Sequence, residues 1–282
     1  MSLDQLEPIR ALLLSRRGEE ITLEARRARF EAQAASAPLP PDVTFEPCQF
    51  APGLWAVPPA PEPGCAIAWL HGGAFVLGSP TSWRHFAARL AKAARMRVLL
   101  PDYRLTPEHP FPAALDDAVA VLRHLRGQRQ RVVLGGDSAG ANLAAAAVQC
   151  APDAAPTAVW LLSPYLDLTH SGGSVVSRAD RDPFVDPTTM PGTAATYLAG
   201  ADPADPRASP LFGPVERFPP TLIQVGSDET LFDDARRFAD RLPDCVFQEW
   251  VGMIHAWPLF PVEEGDWAIA QGAAFARRAL GI

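Results

Sequence analysis

The chain has 282 residues with 48% hydrophobic and 20% charged side chains, and its 25 basic and 32 acidic groups leave a formal charge of −7. This is the profile of an ordinary globular protein, and it disfavours disorder and nucleic-acid binding. Proline is the outlier at 30 residues, about twice the usual ~5%. Nine fall in residues 38–63 and nine in 183–220, leaving 12 for the remaining 218 positions.

Residues 3–36 carry apolar positions at helical spacing (Leu6, Ile9, Leu13, then Ile21, Leu23, Ala28, Phe30) with a break at Gly18, which predicts two helices ended by Pro38, Pro40 and Pro41. No uninterrupted apolar run opens the chain, so the reading is a cytoplasmic protein without a signal or membrane span. Three extended runs follow, VTFEPCQF, LWAVP and CAIAWLHGG. Next come a helix over 83–94, the strand RVLLPDY, a helix over 112–125, the strand RVVLGGDS, a helix over 139–150 and the strand AVWLLSP. Strands alternating with such helices predict an α/β fold with a mostly parallel sheet. Residues 165–219 break the alternation with a Pro-rich insertion holding one helical candidate at 190–198. TLIQVGSDET, a helix over 233–242, CVFQEWV and a helix over 266–280 then restore it. Cys48, Cys65, Cys150 and Cys245 lack CxxC spacing and read as free thiols.

The sharpest chemical signal is Gly136-Asp137-Ser138-Ala139-Gly140, a GxSxG between a buried strand and a helix. A serine on that sharp turn sits at a helix N-terminus, where free N–H groups favour negative charge on an attacked carbonyl. A hydroxyl is a weak nucleophile and needs a base held by a carboxylate. Of the downstream histidines, His170 lies in the insertion, and only His255 follows a core strand. Asp228, at the end of the preceding strand, is the preferred acid, with Glu229 the alternative; Asp233 and Asp234 read as opening the next helix. His71-Gly72-Gly73-Ala74-Phe75 follows another strand, and its glycines suit an oxyanion hole from Gly72 and Gly73, completed by Ala139. Nothing in this set calls for a cofactor or a metal.

HGGAF, DYRLTPEHPFPAALDD, GDSAGAN, the acid in GSDETL and the late histidine together resemble the hormone-sensitive-lipase-like (bacterial family IV) carboxylesterases of the α/β-hydrolase fold over roughly residues 65–260. The resemblance implies carboxylic ester hydrolysis by Ser138, Asp228 and His255. It also implies a catalytic core over 41–164 and 220–282, and a cap built from helices in 1–40 and the insertion 165–219. DYRL and PEHPFP would support the oxyanion loop. The chain departs from the family pattern at Ala74 and Ala141, where glycine is usual, and at Glu229-Thr230, where Pro-Leu commonly follows the acid.

Phe75, Phe184, Met190, Tyr197, Leu211, Phe212 and Trp257 lie in loops or cap segments and are candidates to line an apolar pocket for short to medium acyl chains. The partner is then a small-molecule ester, with no nucleic acid or membrane, and the chain a monomer or a homodimer paired through CVFQEWV. An arylformamidase-like amidase on the same triad is one alternative, and a non-catalytic small-molecule receptor on this scaffold another.

Overall fold

Each of the eight extended runs in the sequence contributes a strand to one sheet. A computed structural model describes residues 3–35 and 37–282. The strands are β1 (Thr44–Pro47), β2 (Gly53–Val57), β3 (Cys65–Leu70), β4 (Arg97–Pro101), β5 (Arg131–Asp137), β6 (Ala158–Leu162), β7 (Thr221–Gly226) and β8 (Cys245–Trp250). They pair in the order β1-β2-β4-β3-β5-β6-β7-β8, antiparallel at β1–β2 and β2–β4 and parallel elsewhere. β3 is buried at every position, as befits a central strand covered on both faces, whereas β8 at the edge has no fully buried residue.

Helices α1 (Leu3–Leu14) and α2 (Leu23–Ala35) precede the sheet, followed by α3 (Arg84–Ala94), α4 (Ala113–Gly127), α5 (Ala139–Cys150), α6 (Ser174–Ser177), α7 (Met190–Leu198), α8 (Phe232–Ala239) and α9 (Glu263–Leu280). α4, α5 and α8 share one apolar core with the insertion, while α3 and α9 pack on the opposite face, joined there by Leu6 of α1. Alanines let α5 lie almost wholly buried against the sheet. Among the described residues no helix is long and apolar enough to cross a membrane.

The register brings the working ends of the strands to one edge. Leu70 pairs with Gly136, Asp137 with Leu162, Leu162 with Gln224, and Gly226 with Trp250, so the loops after β3, β5, β6, β7 and β8 emerge side by side. This is the edge at which open α/β sheets place ligands.

The N-terminal helices dock over that edge through polar side chains. Arg10 binds the Arg181 and Gly252 carbonyls and the Asp228 carboxylate. Arg17 binds the carbonyls of Ala179, Asp182 and Val185. Arg27 reaches the Val76 and Thr106 carbonyls and Glu108, and Glu31 accepts from Ser79 and Ser82.

The root of the insertion hangs on Asp234 of α8, whose carboxylate accepts the backbone N–H groups of Leu166 and Asp167. Burial, reinforced by the charge of Asp167, pushes its pKa up to about 8. The folded state therefore holds this proton more tightly than the unfolded chain, and the associated stability is present at low pH and lost as pH rises through about 8. The melting temperature should fall between about pH 4 and 8 and level off above that, and Asp234→Asn, which keeps an acceptor oxygen, should flatten that fall in thermal denaturation scans.

Candidate active site

At the end of β5 the chain turns sharply into α5, with Ser138 at φ 53° and ψ −118°. A non-glycine residue seldom adopts this backbone, and it persists because the surroundings fix it. The Ser138 N–H donates to Leu162, and its carbonyl accepts from Asn142 and Tyr165. Asn142 in turn donates to the carbonyls of Tyr165 and Ala208. The flanking glycines are a steric requirement, since a Cβ on Gly140 would strike the backbone of Leu70 and His71, and one on Gly136 the backbone of Gly140.

His255 is 2% exposed, and its Nδ1 lies 2.9 Å from Oε2 of the fully buried Glu229. The other oxygen of Glu229 accepts from the Gly226 N–H at 2.6 Å and the Ser163 hydroxyl at 2.7 Å, and Ser163 Oγ accepts from the Ala256 N–H. The carboxylate facing the imidazole is thus Glu229, which corrects the expectation of Asp228. Asp228 points the other way, into an ion pair with Arg10 at 2.5 Å. The reason is the turn after β7: the Glu229 N–H bonds back to Gly226 and the Asp228 N–H to Met253. Residues 228 and 229 consequently face opposite sides, and the longer glutamate reaches inward.

Burial works to lower the His255 pKa, but the hydrogen bond and charge of Glu229, with Asp182 and Asp137 adding, raise it on balance. With Nδ1 donating to Glu229, Nε2 is left as the proton-accepting nitrogen.

The loop after β3 has positive φ at three successive residues, Gly73 (111°), Ala74 (54°) and Phe75 (64°). The N–H groups of Val76 and Leu77 fold back onto the Gly73 carbonyl. Those of Gly73 and Ala74 have no protein partner among the described residues. The Gly72 N–H is instead occupied, donating to Asp137 Oδ2 at 3.1 Å. Gly72 is therefore an anchor of the loop rather than a free donor, a second correction, and the free N–H groups are those of Gly73 and Ala74. Ala74 tolerates its Cβ because the loop holds it in the left-handed helical region, which non-glycine residues enter at modest cost.

Asp137 is the hub beneath this loop. Its Oδ1 accepts the indole N–H groups of Trp69 at 2.9 Å and Trp83 at 2.8 Å, and burial raises its pKa to about 6. Burial likewise lowers His71 to about 4, so this imidazole is neutral; its Nδ1 lies 2.8 Å from the Gly72 carbonyl. Tyr103 of the DYRL segment stacks on His71 at 4.2 Å and donates to its carbonyl at 2.7 Å, while the Thr106 N–H donates to the Phe75 carbonyl.

The residues expected to line a pocket separate into two groups. Phe184 is 39% exposed and its ring lies 5.4 Å from that of His255. Phe212 is equally exposed. Phe75 and Tyr197 are buried and stacked on each other at 3.8 Å, and Met190 and Leu211 join them in the core under the insertion. Trp257 is fully buried in the other core, packed on Trp250 and donating to the Glu264 carbonyl. These five are packing residues because their segments turn inward, which loop position alone does not reveal. Sequence reasoning missed Ser163, Arg10 and Asp137 as supports. Asp137 was visible as the variable position of GxSxG and Ser163 as the residue closing β6, but no local pattern marks Arg10.

A family model described as alpha/beta hydrolase fold matches residues 67–259. An acetyl-hydrolase of Streptomyces hygroscopicus is 42% identical, covering 100% of this chain and 99% of its own. An esterase of Acinetobacter venetianus is 37% identical over 74% of each chain. The crystal structure of an esterase from the bacterial hormone-sensitive lipase family superposes with a TM-score of 0.93 at 35% identity, covering 98% of both chains.

The geometry separates the two neighbouring acids. Glu229→Gln should lower the His255 pKa and Asp228→Asn should leave it near the wild-type value, as read from imidazole titration by NMR. Asp228→Asn should cost stability instead, by about 1–3 kcal/mol for a lost charged hydrogen bond, seen in chemical denaturation.

Proposed function

The chain belongs to the α/β-hydrolase-fold carboxylic ester hydrolases of the hormone-sensitive-lipase family, and from that premise we propose that it hydrolyses short- to medium-chain acyl esters with Ser138 as nucleophile, His255 as base and Glu229 as the orienting carboxylate. His255 takes the Ser138 proton as Oγ attacks the ester carbonyl, and the tetrahedral oxyanion is held by the N–H groups of Gly73, Ala74 and Ala139. The imidazolium returns the proton to the leaving alcohol, and water, activated by the same imidazole, hydrolyses the acyl-enzyme. The observation that carries this reading is the buried Glu229–His255 hydrogen bond at the sheet edge where Ser138 occupies its strained turn.

The electrostatics fit this sequence of steps. A base that must gain and lose a proton in each cycle benefits from a carboxylate that stabilises the imidazolium only while it exists. Each oxyanion donor contributes ~3 kcal/mol when it is aimed at the developing charge. The preference for short chains rests on the name of the acetyl-hydrolase relative and on the insertion, whose longest helix has nine residues and offers little apolar lid. In this reading α1, α2 and the insertion form the cap, with Phe184 as its aromatic contact beside His255 and prolines stiffening loops that lack regular hydrogen bonding.

Ser138→Ala should reduce kcat by ~10⁶ and abolish labelling by a fluorophosphonate; wild-type turnover in that variant would refute the assignment. Glu229→Gln should reduce kcat by ~10³–10⁴, with Asp228→Asn retaining most activity. Because the base must be neutral, kcat/KM should fall as pH drops through the raised pKa of His255. Across p-nitrophenyl esters of increasing acyl length the rate should peak at short chains, and a maximum at long chains would contradict the proposed preference.

A further inference from the structure

Resting on the assignment of Ser138, His255 and Glu229 above, we propose that Asp182 is a positioning residue: from the insertion it holds Thr230, and through Thr230 the Glu229 carboxylate, against His255. The site is then complete only when residues 182–185 are seated on the turn between β7 and α8.

Asp182 is fully buried, and among the described residues no basic side chain bonds its carboxylate. A buried carboxylate without a cation is costly unless donors satisfy its oxygens. Here four do. Oδ1 accepts the N–H groups of Phe184 and Val185, each at 3.0 Å, which closes a local turn. Oδ2 leaves the insertion and accepts the Thr230 N–H at 2.9 Å and the Thr230 hydroxyl at 3.1 Å. A side chain needed only to close its own turn uses one oxygen; the second is spent on the residue next to Glu229.

The surroundings make this contact a clamp. The Thr230 carbonyl accepts from the Ser174 hydroxyl at 2.6 Å, and Arg178 donates to the Ser227 carbonyl, so the insertion grips the acid turn on both sides of Glu229. Arg17, in the turn after α1, binds the carbonyls of Asp182 and Val185, which fixes the clamp from outside. Phe184, held by the same Asp182 turn, packs beside the imidazole.

Three carboxylates act on His255: Glu229 from the β7–α8 turn, Asp137 from the end of β5 and Asp182 from the insertion. Asp228, beside Glu229, is paired with Arg10. Asp182 thus adds negative potential that favours the imidazolium, in addition to its hold on Thr230.

The test is steady-state kinetics of the full-length Asp182→Asn enzyme on p-nitrophenyl acetate between pH 5 and 9. An amide presents N–H groups where Thr230 also presents donors, so the clamp opens although the side chain keeps its size. We expect kcat to fall 10- to 100-fold with KM changed less than about twofold, and the acid limb of kcat/KM to move to lower pH because a negative charge acting on His255 is gone. Thr230→Val keeps that charge and loses one bond, so it should lower kcat three- to tenfold without moving the acid limb. The double variant should be no worse than Asp182→Asn alone. Asp186→Asn, at a half-buried turn residue of the same insertion that bonds only Thr188 through its side chain, should match wild type. A folded Asp182→Asn enzyme with kcat within twofold and an unmoved acid limb overturns the proposal, as does a loss confined to melting temperature. If Asp182→Asn does not fold, Thr230→Val decides: kcat within twofold of wild type overturns it, and the expected fall supports it. Ser138→Ala and Glu229→Gln, assayed in parallel, isolate the underlying assignment, whose failure would appear as retained turnover in those two variants.

Discussion

A carboxylate and an imidazole buried together at the sheet edge set the terms for the rest of this structure. Burying either group alone carries a large desolvation cost, and the fold offsets it by satisfying Glu229 completely. One oxygen faces His255, while the other takes the Gly226 N–H and the Ser163 hydroxyl. Ser163 also receives the Ala256 N–H, so one hydroxyl ties the end of β6 to both the Glu229 turn and the His255 loop. Strand register supplies the meeting point, because β7 and β8 end on one pair, Gly226 with Trp250, and β6 ends two residues short of it, with Leu162 opposite Gln224.

A second buried carboxylate organises the opposite side of the site by a different route. Asp137 receives two indole N–H groups and one backbone N–H, all neutral donors. Neutral partners keep the loop after β3 anchored without placing a cation beside Ser138. The Gly72 N–H is consumed in this anchoring, and the loop compensates by curling through three left-handed residues, which turns the next two N–H groups free of the protein. Backbone strain at the non-glycine positive-φ residues Ala74, Phe75 and Ser138 is thus concentrated around the free N–H groups and the serine turn, and it is borne by the strands beneath.

Outside the sheet, α1, α2 and the insertion are joined to the edge mainly by arginines binding backbone carbonyls and by buried aspartates receiving backbone N–H groups. Such contacts are directional, and they bind the loops themselves rather than particular side chains on them. Arg10 joins the insertion, the acid turn and the histidine loop in a single side chain. The layer over the site is for this reason coupled to the loops beneath it; α2 buries no residue and is held by its polar contacts, whereas α7 of the insertion also packs Met190, Ala194, Tyr197 and Leu198 into the core.

All eight strands, the order of helices and the positions of Ser138 and His255 were legible in the sequence, because hydrophobic periodicity and a glycine-flanked turn are local properties of the chain. Which carboxylate meets His255 was not, since Asp228 and Glu229 are adjacent and only the path of the turn after β7 decides which faces inward. The same holds for Gly72, whose N–H is claimed by Asp137, 65 residues away, and for Phe75, Tyr197 and Trp257, which local context marks as apolar without saying which way they point. Chain pattern therefore determined the scaffold and the serine turn at its edge, whereas tertiary structure decided which of two neighbouring groups is turned inward. The physical reason is that periodicity records burial averaged over an element, while a hydrogen bond between distant segments depends on where two loops end in space.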